Sequence, residues 1–260
     1  MEHATPTMEH AAPTMEHATP TMEHAAPTME HTPAALTAAG FLPALPRDLS
    51  LLFAHAAPAR PQPLAAAPDT PLARALAAHA RAALPAPTFH HSQRVFLLGA
   101  AVAGAHLAGV ALAPDALFAA ALLHDLGTVL GGSALSFEYA GGVRARELLR
   151  ALGAPALLAD SVCEAVLRHQ DVGARGMLSA LGAVLQAATL LDNTGRFGAL
   201  VHADTVAAAV AAWPRLGWSG CFRGVIAREG ARKPWCHSTV IGIEAFQAQV
   251  AGNALMNAYE

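Results

Sequence analysis

The sequence predicts an all-α fold organised as a single domain, on three observations. Apolar residues recur every three or four positions through most of the chain from residue 71 to 253, the period of one helix face. Prolines open several of these runs and glycines close several, the usual asymmetry of helix ends. No run alternates apolar and polar residues for long enough to argue for a sheet.

The elements follow in chain order. Residues 1–35 repeat the words MEHATPT and MEHAAPT with a period of seven, restarting at Met1, Met8, Met15, Met22 and Met29. Pro6, Pro13, Pro20, Pro27 and Pro33 would each break a coiled coil, and Met is the only large aliphatic residue. A disordered tail grown by repeat expansion is expected, its histidines a by-product of the repeat. Residues 36–70, rich in Pro and Ala, read as an irregular arm. Residues 71–256 read as the folded domain. Its expected helices are 71–84, stopped by Pro85-Ala86-Pro87; 89–112, with Thr88 as cap; 114–127, closed by Gly127; and 136–152, with Glu138 in the first turn, where the helix dipole favours an acid. Then come 155–169, 177–193, 205–213, 219–229 and a C-terminal segment 240–253.

Composition excludes several function classes. Hydrophobic residues make up 54%, enough for a sizeable core, whereas charged residues at 13% are about half the usual share of roughly 25%. A net charge of −3 gives no reason to expect nucleic acid or an anionic membrane as partner. Cys163, Cys221 and Cys236 are too few and too scattered for a disulfide framework or a zinc knuckle, so reduced thiols in a cytoplasmic protein are expected. No secretory signal is visible. The uncharged stretch 95–113 is long enough to span a membrane, but it is built largely from Ala and Gly and holds His106, so it reads as a buried helix. The thinly charged surface suggests a homo-oligomer.

Five polar residues stand where apolar ones belong. The run Phe118-Ala119-Ala120-Ala121-Leu122-Leu123 ends in His124 and Asp125, with Leu117, Ala120 and Ala121 on the same face as His124. His91 shares a face with Val95, Leu98 and Val102; His169 with Val162, Ala165 and Val166; Asp192 with Leu181, Leu185 and Ala188. Five buried polar groups would each need a partner, and one metal ion meets that need at once. Imidazole with carboxylate suits Zn²⁺, Fe or Mn²⁺, and the lack of a Cys cluster argues against a structural zinc site. His91, His124, Asp125 and Asp192 as ligands leave room for water, with His169 as a further ligand or a proton handler.

The pattern H…HD…D at His91, His124-Asp125 and Asp192 resembles that of the HD-domain superfamily of metal-dependent hydrolases. The surrounding words go further. His91-Ser92-Gln93-Arg94-Val95-Phe96, Ser136-Phe137-Glu138-Tyr139-Ala140-Gly141-Gly142, Arg168-His169-Gln170-Asp171, Asp192-Asn193, Pro214-Arg215-Leu216-Gly217-Trp218 and Lys233-Pro234-Trp235 are similar, in order, to the fungal cyanamide hydratase family over roughly residues 40–256. The resemblance implies an HD-type helical bundle and a zinc-dependent hydratase that adds water to cyanamide to give urea. It implies zinc ligands at His91, His124, Asp125 and Asp192, and His169 beside the open position as proton donor, with Asp125 also a candidate acceptor. Two departures stand out. His90 replaces an expected Asn, placing a second imidazole next to the ligand, and the loop 126–135 is shorter than the family's.

Three other functions compete. A nucleotide phosphohydrolase on the HD scaffold would want cations near the metal, yet Thr128 stands where such enzymes often carry Lys, and Lys233 is the only lysine. An iron oxygenase on the same scaffold would want more histidines for a second metal than His169 provides. A helical scaffold that had lost catalysis would not be expected to keep the ligand set. Cys163 lacks a neighbouring base and is not expected to act as a nucleophile. Trp213, Trp218, Phe222 and Trp235 read as core or interface anchors.

Overall fold

The computed structural model describes residues 31–260. The expected disordered tail lies outside the described residues up to Glu30. Its last positions do not fit that expectation, because Thr32 caps a short helix, α1 (Pro33–Ala38). The arm that follows is also partly regular, with β1 (Leu45–Pro46) and α2 (Leu49–Leu52).

The domain is helical: α3 (Pro71–Ala83), α4 (Ala86–His106), α5 (Pro114–Leu123), α6 (Phe137–Ala151), α7 (Ala156–Arg168), α8 (Ala180–Thr194), α9 (Ala203–Ala212), α10 (Trp218–Arg232), α11 (Ser238–Ile241) and α12 (Ile243–Ala251). One two-residue ladder departs from it, β1 against β2 (Met177–Leu178), paired antiparallel. Met177 therefore belongs to this ladder and not to a helix; α8 starts at Ala180, where Ser179 accepts a hydrogen bond from the Gly182 amide.

Other boundaries shift for local reasons. Thr88 is buried inside the first turn of α4 and does not cap it, because Pro85-Ala86-Pro87 starts the helix. Proline is favourable there, since the first amides of a helix have no partner to lose. α4 stops at His106, six residues earlier than expected; the chain then turns through Gly109, at φ +91°. No helix among the described residues is long and apolar enough to cross a membrane. The C-terminal segment breaks into α11 and α12 at Gly242, at φ +86°. Gly127 does not close α5 through a left-handed turn. It lies in a 3₁₀ turn, Leu126–Val129, where a Cβ would stand 1.8 Å from the Phe137 carbonyl oxygen. This close approach pins the start of α6 to the residues just after His124 and Asp125.

α4, α5, α7 and α8 supply most of the main core, and α6 packs along α7. α5 is buried along nearly its whole circumference. A smaller cluster of Phe137, Trp218, Phe222, Ile226, Phe246 and Val250 joins α10 and α12 to the start of α6. The five anomalous polar residues fall near where these two clusters meet.

Candidate metal centre

His91 lies on the second turn of α4, His124 caps α5 at its C-terminal end, Asp125 follows it, His169 caps α7, and Asp192 lies near the end of α8. All five are at most 2% exposed. Hydrophobic periodicity brings them inward, and each must then be satisfied by something other than water.

The hydrogen bonds fix the histidine tautomers. The Nδ1–H of His124 donates to the Ala121 carbonyl at 2.8 Å, and that of His169 to the Val166 carbonyl at 2.7 Å. His91 turns Nδ1 to the carboxylate of Asp192 at 2.6 Å, and a carboxylate can only accept. In each neutral ring Nε2 is then a bare lone pair. Yet Nε2 of His91 and Nε2 of His124 face each other at 3.1 Å. Asp125 Oδ2 stands 3.4 Å from the second nitrogen and 3.8 Å from the first. A proton on His124 would satisfy one nitrogen pair but leave both Asp125 oxygens and His169 Nε2 without a partner. A divalent cation answers the convergence of two imidazole lone pairs and a carboxylate, and the nitrogens are close enough for both to reach one ion at the usual 2.0–2.1 Å.

The electrostatics favour a neutral ring at His91 and His169 and a positive charge at His124, the place where a cation would stand in for its proton. Burial lowers the pKa of His91 to about 4, against the pull of Asp192, so the ring is neutral and its lone pair is available. Burial also opposes charge on His124, but the neighbouring Asp125 carboxylate and the Ala121 carbonyl outweigh it and raise the pKa. Burial would raise the Asp125 carboxyl; the three imidazoles, His124 foremost, hold it below the usual carboxylate range instead. His169 falls to about 3, through burial first and the neighbouring His124 second.

Of the expected ligands, His91, His124 and Asp125 present donor atoms within 4.8 Å of one another. His169 stands at the edge of that group, with Nε2 3.9 Å from Asp125 Oδ1. Asp192 is engaged elsewhere. Besides His91 Nδ1, its carboxylate accepts from Arg94 through Nε and Nη2 at 2.8 and 2.9 Å, and Arg215 approaches Oδ1 at 3.3 Å. His90 points away from the group: its Nδ1 meets the Pro214 carbonyl at 2.9 Å, and its ring packs on Trp213.

Residues 88–194 match the HD domain family. Two proteins of Saccharomyces cerevisiae (strain ATCC 204508 / S288c), cyanamide hydratase DDI2 and cyanamide hydratase DDI3, are each 37% identical to this chain over 202 residues, covering 76% of it and 90% of the yeast protein. The chain belongs to the cyanamide hydratase family. It is a metal-dependent, hydratase-like enzyme.

In this family member Arg94, Arg215 and Trp218 pack around His91 and Asp192. Arg94 is one turn from His91 on α4, so the spacing alone puts the two on one face. It also donates through Nη1 to the carbonyls of Trp213 and Pro214. Arg215 reaches the Asp192 carbonyl at 3.1 Å and Glu260 at 2.8 Å. Trp218 stacks on the His91 ring at 4.1 Å between centroids, inclined by 13°, and donates to Asn193 at 2.8 Å. Leu216 and Gly217, at φ +56° and +73°, make the turn between Arg215 and Trp218. A left-handed leucine costs about 1–3 kcal/mol, and here it lets both neighbours reach the centre. A string of short polar and apolar words gives no such distances, so only the structure identifies these supports.

Proposed function

We propose that this enzyme hydrates cyanamide to urea, with zinc held by His91, His124 and Asp125. The observation that supports the reading most is the pair of bare imidazole nitrogens facing each other at 3.1 Å beside an unpartnered carboxylate. A divalent ion bound there supplies Lewis acidity and lowers the pKa of a water molecule from 15.7 to about 7. The family relatives are named for cyanamide, which has only a few heavy atoms, and the nearly complete burial of the donors suits a substrate of that size.

The chain's own groups divide the remaining work. Asp192, in place of the direct ligation expected of it, orients His91 by accepting its Nδ1–H, while Trp218 holds the ring flat; such supports typically set metal affinity by about 10–100-fold. His169, with its Nδ1–H on Val166 and Nε2 turned towards Asp125, is the group placed to pass a proton from water to the nitrile nitrogen. The water oxygen bonds to the nitrile carbon as the first C–N π bond opens and one water proton goes to the nitrile nitrogen, giving H₂N–C(OH)=NH. The remaining O–H proton then moves to the same nitrogen as C=O replaces the second C–N π bond, which gives urea. Asp125 Oδ1 lies on the His169 side and is the nearest anion to the imidazolium formed in between. A phosphohydrolase reading lacks this support, since Arg94 and Arg215 are both spent on Asp192.

Chelated protein should release no urea from cyanamide, and one equivalent of zinc should restore release; zinc-loaded protein that forms none would overturn the assignment. His169→Ala should keep its zinc, measured by metal analysis, and lose about 10²–10⁴-fold in kcat, the usual worth of a positioned acid–base group. Loss of zinc from that variant would make His169 a ligand instead.

A further inference from the structure

Six buried side-chain oxygen or nitrogen atoms among the described residues have no hydrogen-bond partner. Ser161 Oγ is one, and the other five belong to Asp125, His169 and Glu138. The proposed chemistry uses the first two side chains and leaves both oxygens of Glu138 unexplained.

Glu138 is fully buried, at 0% exposure, in the first turn of α6. The dipole of α6 does not account for it, since an acid at the surface would serve the dipole as well without the cost of burial. Its own backbone amide and the Ser238 hydroxyl are its polar neighbours, but neither makes a hydrogen bond of good geometry to it, and the Phe137 amide donates to Glu229 at 2.9 Å. The Gly127 contact sets the start of α6 directly against the turn that follows Asp125, and the ring of the adjacent Phe137 packs on His169 at 5.8 Å between centroids. Burial, then Glu229 and Asp125, push the Glu138 carboxyl up to about 7 against the opposing pull of its own backbone amide and the Ser238 hydroxyl.

We infer that Glu138 receives the amino end of the substrate, an assignment that rests on the hydratase reading above. In H₂N–C≡N the amino lone pair is delocalised into the nitrile, so this nitrogen donates two hydrogen bonds and accepts none. It needs an acceptor in a dry site. Asp125 is committed to the metal and His169 to the nitrile end, which leaves the Glu138 oxygens. A carboxyl placed for this purpose makes the enzyme specific for nitriles carrying N–H donors, because an analogue without them leaves it buried and unpaired. Sites that hydrogen-bond a substrate N–H or O–H reject such analogues by far more than sites that only measure size.

The test compares zinc-loaded wild type, Glu138→Gln and Glu138→Leu on cyanamide, methylcyanamide and dimethylcyanamide, reading zinc content, kcat/KM, and the inhibition constant of any compound that is not turned over. In wild type, kcat/KM or affinity should fall stepwise as N–H groups are removed, by at least about 100-fold over the series. Glu138→Leu, with zinc retained, should lose about that factor on cyanamide and change less than threefold on dimethylcyanamide, while Glu138→Gln, still an acceptor, stays closer to wild type. Equal values for the three compounds in wild type, or equal losses on all three in the Leu variant, would overturn the assignment. Wild type that turns over no cyanamide would sink the hydratase reading itself, and this inference with it.

Discussion

His124→Ala should bind its metal more than about a hundredfold more weakly, a larger loss than the 10–100-fold typical of removing a group that only orients a ligand, and turnover should fall to background. His124 Nε2 is the donor that both His91 and Asp125 approach most closely. Without it the remaining nitrogen and carboxylate stand 3.8 Å apart with nothing to complete the set. Thermal melting gives an independent readout. Metal at 100 times its dissociation constant should stabilise the wild type by about 2.7 kcal/mol, or roughly 5–11 °C for a domain of this size. The variant should show almost no such shift. A variant that melts higher with zinc to the same degree as wild type would mean that the ion sits elsewhere.

Arg94→Met should destabilise the protein by about 3–5 kcal/mol, since it leaves a buried carboxylate without its main counter-charge. The midpoint should drop by about 6–20 °C at 2–4 °C per kcal/mol. Arg94 and Asp192 are both 0% exposed and joined through two hydrogen bonds, so neither can turn to solvent. Arg215→Met should cost less, because the paired contact to Arg94 survives. Acid stability gives the sign of the interaction. Burial would raise the Asp192 carboxyl, but Arg94 first and then His91 hold it below its unfolded value of about 3.9. Its contribution is therefore complete above that pH and is lost as the pH falls, and the Arg94 variant should lose less stability on acidification than wild type does. An Arg94→Met protein that melts within about a degree of wild type would show that water or a relaxed Arg215 serves Asp192 equally well.

Hydrophobic periodicity, helix-end prolines and the absence of alternating runs were sufficient for the helical class and for most of the helices, because these signals are local. The same periodicity singled out His91, His124, His169 and Asp192 as polar residues on apolar faces, which amounts to reading that they are buried. Boundaries failed where the competing signal was itself local but weaker: Thr88 as a cap against Pro87 inside the first turn, and Met177 as a helix start against its ladder with Pro46.

Roles were a different matter. Periodicity reports which way a side chain faces but not what it meets. Asp192, expected among the metal donors, meets Arg94 and the far nitrogen of His91. His90, expected beside the centre, meets Pro214 and Trp213. Arg215 and Trp218 converge on the centre from beyond α9, through a left-handed turn that no pattern of apolar residues encodes. The chain alone thus settles the helical class, the buried polar set and the kinship, since each depends on residue type and spacing. Which of those polar groups come within reach of one another, as His91, His124 and Asp125 do, and which pair with an arginine, as Asp192 does, was decided by packing between distant helices, because residue type and spacing carry no distances across the core.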